Sequence, residues 1–199
     1  MSDKFKLVIS DCHLGAGRFV DHRINPHEDF AWDGEMVQFL KHFSSGEYGE
    51  GREVELIING DFLDFLNVSD RGEFEEVITE DLALRKLNKI FEGHAAVMGA
   101  LRDFAALPGK SIVYLIGNHD AELFFPKVRA AIEARWGGGR VRVVADRDRL
   151  VYEDWGVEIH HGNQFEASNE LDFQEPFYRV GGGKHAGKEA LKLPWGSFY

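Results

Sequence analysis

Four short clusters in this chain carry the residue types that hold divalent metal ions: Asp11-Cys12-His13, Gly60-Asp61-Phe62-Leu63-Asp64, Gly117-Asn118-His119-Asp120 and His160-His161-Gly162-Asn163. Carboxylate, imidazole and amide donors together suit ions such as Mn²⁺, Zn²⁺ or Fe²⁺/Fe³⁺, and a set of this size suits two ions that share one carboxylate. Each fragment alone is common, since an Asp after a strand is often a turn former or a helix cap. Their conjunction points to a hydrolytic centre, because paired ions acidify a water molecule and neutralise charge on the group it attacks.

The elements that must position these clusters can be read from the apolar pattern. Residues 5 to 10, 54 to 59 and 112 to 116 read as short buried strands, and each runs straight into one of the first three clusters. Helical stretches are expected at about 34 to 44, about 75 to 104 and about 122 to 135, the last ending at Gly137-Gly138-Gly139. The second opens with Glu73, Glu75, Glu76, Glu80 and Asp81, acidic residues that suit a helix N-terminus, and its Leu84, Leu87, Ile90 and Phe91 are expected in the core. Val141 to Val144 reads as a fourth strand, and Leu150 to His160 as a hairpin turning at Asp154-Trp155-Gly156, which predicts a second, antiparallel layer. Residues 162 to 199 show no clear period. Strands alternating with helices make an α/β fold, in which ligands lie outside the carboxyl ends of the strands.

Within the clusters, the period of two along a strand aims Asp11 and His13 at one face and Cys12, a small buried filler, at the other. By the same alternation only one of His160 and His161 faces the centre; the His-Gly context favours His161 and leaves His160 structural. Asp120 is expected to cap the helix that follows it. The loop from Gly15 to Asp33 carries Arg18, His22, Arg23 and His27, of which Arg18 and Arg23 are candidates for gripping a substrate phosphate.

Composition bounds the alternatives. The 199 residues are read as a single domain, 1–199, long enough to bury about 70% of the unfolded surface. A hydrophobic fraction of 44% and a charged fraction of 29% are those of a packed globular protein. Lys and Arg total 23 against 34 Asp and Glu, and the net charge of −11 disfavours long nucleic acids as partners. One cysteine excludes an internal disulfide, no apolar run approaches the roughly 20 residues of a membrane span, and no signal-peptide core follows Met1. Together these lead to the expectation of a cytoplasmic protein.

The clusters resemble, in order and spacing, the signature of the calcineurin-like metallophosphoesterases: Asp-x-His, Gly-Asp-x-x-Asp, Gly-Asn-His-Asp/Glu, and a later His. The match covers residues 11 to 162. The resemblance implies a layered α/β/β/α sandwich that hydrolyses a small phosphorylated substrate, a phosphomonoester or phosphodiester, with two divalent ions, Mn²⁺ first among them. It implies that Asp11 and His13 hold the first ion, that Asp61 bridges, and that Asn118 and His161 hold the second. His119 becomes the general acid and Asp64 the group that orients it. Ser10-Asp-Cys-His-Leu-Gly and Gly60-Asp-Phe-Leu-Asp-Phe look like the branch containing UDP-2,3-diacylglucosamine pyrophosphatases, although that branch often has Arg where His119 stands, and its substrate is not carried over. The family's closing Gly-His-x-His is absent here, which reads as a domain truncated at its C-terminus and leaves two alternatives: a non-catalytic phosphate- or nucleotide-binding module with an incomplete metal site, or a scaffold that uses Trp195 and Phe198 as an interaction surface.

Overall fold

The computed structural model describes residues 3–49 and 51–198. Its centre is a parallel sheet of four strands in the order β1 (Lys4–Ile9), β4 (Glu53–Asn59), β5 (Lys110–Leu115), β6 (Val141–Val144). Between β1 and β4 come a small hairpin, β2 (Phe19–Val20) with β3 (Arg23–Ile24), and helix α1 (Asp33–His42). Helices α2 (Glu80–Gly93) and α3 (Ala95–Ala106) lead from β4 to β5, and α4 (Pro126–Trp136) leads from β5 to β6. Two further antiparallel pairs follow, β7 (Arg149–Tyr152) with β8 (Val157–His160), and β9 (Phe177–Arg179) with β10 (Glu189–Leu191).

Strands paired in chain order, joined by crossovers of one hand, put all their helices on one face of the sheet. The core divides accordingly. Leu56, Ile58, Ile112, Tyr114, Val141 and Val143 point into the large helical core, whereas Ile57, Val113, Leu115 and Val144 point the other way and meet Leu150 and Ile159 of the β7–β8 hairpin. The chain is therefore mixed α/β, and the antiparallel layer expected from the sequence is this two-stranded hairpin. The strand and helix bounds expected from the sequence match to within a residue or two for β1, β4, β5, β6 and α1. Among the described residues no helix is long and apolar enough to cross a membrane.

The long helix expected over 75 to 104 is instead two. It begins only at Glu80, so Glu73, Glu75 and Glu76 lie in the preceding loop, and it breaks at His94 (φ −117°, ψ 38°). The break follows from what is packed there. A Cβ on Gly93 would stand in the carbonyl of Ala16, and one on Gly17 would lie 2.7 Å from Gly93 Cα, so the loop after β1 crosses the end of α2 backbone to backbone. The helix expected at 122 to 135 likewise starts at Pro126, a favoured first helical residue, after a 3₁₀ turn at Ala121–Phe124.

His94, only 2% exposed, ties the same loop down. Its Nδ1 lies 2.8 Å from Asp33 and its Nε2 3.2 Å from Glu28, whose carboxylate also accepts the N–H groups of Gly15 (3.1 Å), Gly17 (2.5 Å) and Phe30 (3.1 Å). Burial alone would lower the His94 pKa, but the two carboxylates outweigh it and the shift is upward. A raised folded-state pKa means that the contribution to stability is complete below the ordinary value of about 6.5 and is lost as pH rises through the raised value. Urea unfolding at about pH 6 and about pH 8.5 should therefore show the wild type losing more stability on alkalinisation than His94→Gln does. Equal losses would show that the His94 charge does not hold the loop.

Candidate metal centre

The three clusters that follow β1, β4 and β5 meet at the carboxyl edge of the sheet, and two of them are zipped together by their backbones. Asp11 N–H donates to Gly60 O (3.3 Å), His13 N–H to Asp61 O (2.9 Å), Leu14 N–H to Phe62 O (2.8 Å) and Asp64 N–H to Leu14 O (2.8 Å). Asp11, His13 and Asp61 all have left-handed backbones, with φ of 54°, 54° and 50°. β1 has ended at Ile9, so these turns and not strand alternation aim Asp11 and His13. Non-glycine residues hold such φ values only where their surroundings enforce them, and functional sites are where this is common. Two glycines make room. A Cβ on Gly60 would lie 2.5 Å from His161 Nδ1, and one on Gly117 would run into Asp61.

The Asp61 carboxylate, 3% exposed, sits at the middle. Its Oδ1 accepts the His119 N–H (2.8 Å), and its Oδ2 lies 3.2 Å from His161 Nε2 and 4.0 Å from His13 Nε2. Both imidazoles have their other nitrogen engaged: His161 Nδ1 donates to Asn59 O (2.8 Å), and His13 Nδ1 meets Asp64 Oδ2 (3.3 Å). Partners of this kind fix a tautomer and leave Nε2 for an ion. Ligand atoms of Asp11, His13 and Asp61 fall within 4.8 Å of one another, as do those of His13, Asp64 and His119, so these groups can hold a metal ion. The His161 pKa, lowered by burial, is raised more strongly by Asp61 and is pushed up to about 9. A proton on His161 thus supplies positive charge that an ion would replace on binding.

Asp64 is 1% exposed and stands between two histidines. His119 Nδ1 lies 3.3 Å from the same Oδ2 that His13 reaches, with an alignment short of a hydrogen bond, so this nitrogen is buried without a hydrogen-bond partner. Asn67 holds both oxygens of Asp64, through its backbone N–H (3.1 Å) and its amide (2.9 Å). Burial would raise the Asp64 pKa, yet His119, His13 and Asn67 bring it far below the usual carboxylate range. Asn118 is buried, and with His119 it lines a cavity of about 460 Å³ whose wall also includes Asn67 and Lys86.

Other residues singled out in the sequence lie elsewhere. Arg18 is exposed beside the Phe19 ring and Arg23 is exposed on β3, and among the described residues neither bonds to the cluster. His160 turns away to Glu158 (2.7 Å) and Gln164 (2.6 Å). Cys12 is half-buried beside Ile9, Phe30 and Met36, and burial, reinforced by Asp11, pushes its thiol up to about 11, so it stays protonated. A hollow of about 760 Å³ lies at the opposite, amino end of the strands, where Lys6 and Tyr152 are already engaged with Glu55.

Asp120 does not cap a helix; its side chain makes no capping bond. It is fully buried and accepts from Phe62 N–H (3.1 Å), Gly117 N–H (2.6 Å) and the Tyr114 hydroxyl (2.5 Å), while that hydroxyl accepts the Leu63 N–H (3.1 Å). Tyr114 and Asp120 thus staple the loop after β4 to the loop after β5. Burial, with the Asp61 charge second, pushes the Asp120 pKa up to about 7. The sequence reading missed Tyr114 and Asn59. The one available signal was a phenol inside the buried strand Ile-Val-Tyr-Leu-Ile, which must find a partner. Removing it should leave Asp120 and the Leu63 N–H short of a bond at a cost of about 1–3 kcal/mol. Tyr114→Phe is expected to lose stability of that order in urea unfolding and to bind Mn²⁺ more weakly by calorimetry; unchanged Mn²⁺ affinity would show that the staple does not position the cluster.

Comparison of the chain with protein-family models, with curated proteins and with solved structures finds no match in any of the three.

Proposed function

We propose that this chain is a metal-dependent phosphoesterase that hydrolyses a small phosphomonoester or phosphodiester at a centre of two divalent ions, Mn²⁺ first, with Zn²⁺ or iron as alternatives. The observation that carries the reading is the buried Asp61 carboxylate between His13 Nε2 and His161 Nε2 at the carboxyl edge of a parallel sheet. The order of the motifs, which resembles that of the calcineurin-like metallophosphoesterases, supports it. On this reading the helices, parallel sheet and hairpin form the α/β/β part of that family's α/β/β/α sandwich.

In the proposed assignment Asp11, His13 and Asp61 would hold one ion, and Asp61, Asn118 and His161 would hold the other. Bound ions of this kind acidify water and neutralise charge on phosphoryl oxygens. The rest falls to the chain. His119, at the cavity wall, holds the proton that the leaving oxygen needs, a role worth roughly 10² to 10⁴ in rate. Asp64, kept ionised by its neighbours, faces the Nδ1 atoms of both His119 and His13, so it orients the two rings together and favours the protonated form of His119. The Asp61 Oδ1 bond to the His119 N–H ties the position of the acid to that of the bridging carboxylate.

The test is hydrolysis of p-nitrophenyl phosphate and bis-p-nitrophenyl phosphate in Mn²⁺ with an EDTA control. Turnover should require the metal; Asp61→Asn should lose metal and turnover together, whereas His119→Ala should keep metal and slow turnover by about 10² or more. Metal binding without turnover would replace this reading with a phosphate-binding module, and full metal content in Asp61→Asn would remove Asp61 from the bridging position.

A further inference from the structure

Helix α2 buries Leu82, Ala83, Leu87, Ile90 and Phe91, and among them stands one cation, Lys86, only 2% exposed. An ammonium at a core position is costly unless its charge is matched. Its hydrogen bond goes to a neutral acceptor, the carbonyl of Phe65 (3.0 Å), and it forms no ion pair among the described residues. The carboxylate that acts on it most strongly is Glu122, wholly buried, with both oxygens lacking a hydrogen-bond partner; Asp64, Asp70 and Glu75 act on it more weakly, and burial outweighs them all and lowers the Lys86 pKa. Burial, opposed by Lys86, pushes the Glu122 pKa up to about 7, so near neutral pH it matches the ammonium only in part.

Lys86 lines the 460 Å³ cavity together with Asn67, Asn118 and His119. All four residue types carry N–H donors, of which the Asn67 amide already gives one to Asp64. The acids on the same wall are differently disposed: Glu75 is held by Lys184 (2.6 and 2.8 Å), and Glu76 is exposed. A deep desolvated cation surrounded by donors is the environment that a compact oxyanion fills. We propose that Lys86 anchors such a group, a sulfate, phosphate or carboxylate, in this cavity. The site stands on the cavity alone, whatever chemistry the metal centre performs; beside a phosphoesterase centre it would select substrates with a negatively charged leaving group over neutral ones.

The probe is inorganic sulfate, titrated into ¹⁵N-labelled full-length chain in EDTA and again in Zn²⁺. Saturating amide shifts are expected at Phe65, Leu66, Asn67, Asn118 and His119 in at least one of the two states. Lys86→Met should weaken sulfate about tenfold or more, the size of a lost hydrogen bond to a charged group, and Lys86→Arg should keep most of the affinity. No saturating shifts at these amides in either state, or equal affinity in Lys86→Met, would overturn the proposal. The wild-type shift map decides the matter even if Lys86→Met does not fold, since shifts confined to other surfaces would also overturn it. Sulfate binding that depends on Lys86 in a chain without phosphoesterase turnover would keep the anchor and remove the hydrolytic reading, so the two fail separately.

Discussion

A carboxylate buried beside two imidazoles organises this protein. Asp61 is nearly inaccessible, and burial would drive it to protonate unless compensating groups hold its charge. They do: His161 and His13 stand on one oxygen and the His119 N–H on the other. To bring those groups so close, the chain accepts left-handed backbone at Asp11, His13 and Asp61, and keeps Gly60 and Gly117 without side chains. Each of these features is unfavourable or permissive by itself, and together they form an environment that a divalent cation would complete.

The sheet supplies the rigidity that such an arrangement needs. β1, β4 and β5 lie in consecutive parallel register, so their carboxyl ends, and the loops that leave them, fall side by side. Below the loops the Trp136 indole stacks on Tyr114 at 5.9 Å, and Phe62 meets both rings edge-on, which seats the phenol that reaches Asp120. On the far face the β7–β8 hairpin closes over Ile57, Val113 and Leu115, and the Asn59 amide bonds to His160 O, so His161 arrives at the cluster from the opposite layer. Packing on both faces of one sheet therefore sets the geometry of a polar site at its edge.

Much of this was legible in the chain because the signals are local. The buried strands announce themselves as apolar runs, and each is followed at once by its polar cluster. What misled were positions where a tertiary contact overrides a local preference. The 75 to 104 stretch has helical composition, but the loop at Ala16 and Gly17 and the Glu28–His94–Asp33 group break it at His94. Asp120 has the residue type and place of a helix cap, yet two backbone N–H groups and a phenol from neighbouring segments claim its carboxylate.

Residue type and spacing within a few positions are enough to read the α/β alternation, the strand ends as the place where the polar clusters gather, and the donors those clusters hold. The packed fold adds that Asp64 lies against His13 as well as His119, that Arg18 and Arg23 stay away from the cluster, and that Tyr114, Asn59 and Lys86 belong to its surroundings. Those relations join residues tens of positions apart, and they are set by which faces of the sheet are buried and where the buried polar groups find partners. No local pattern carries that information.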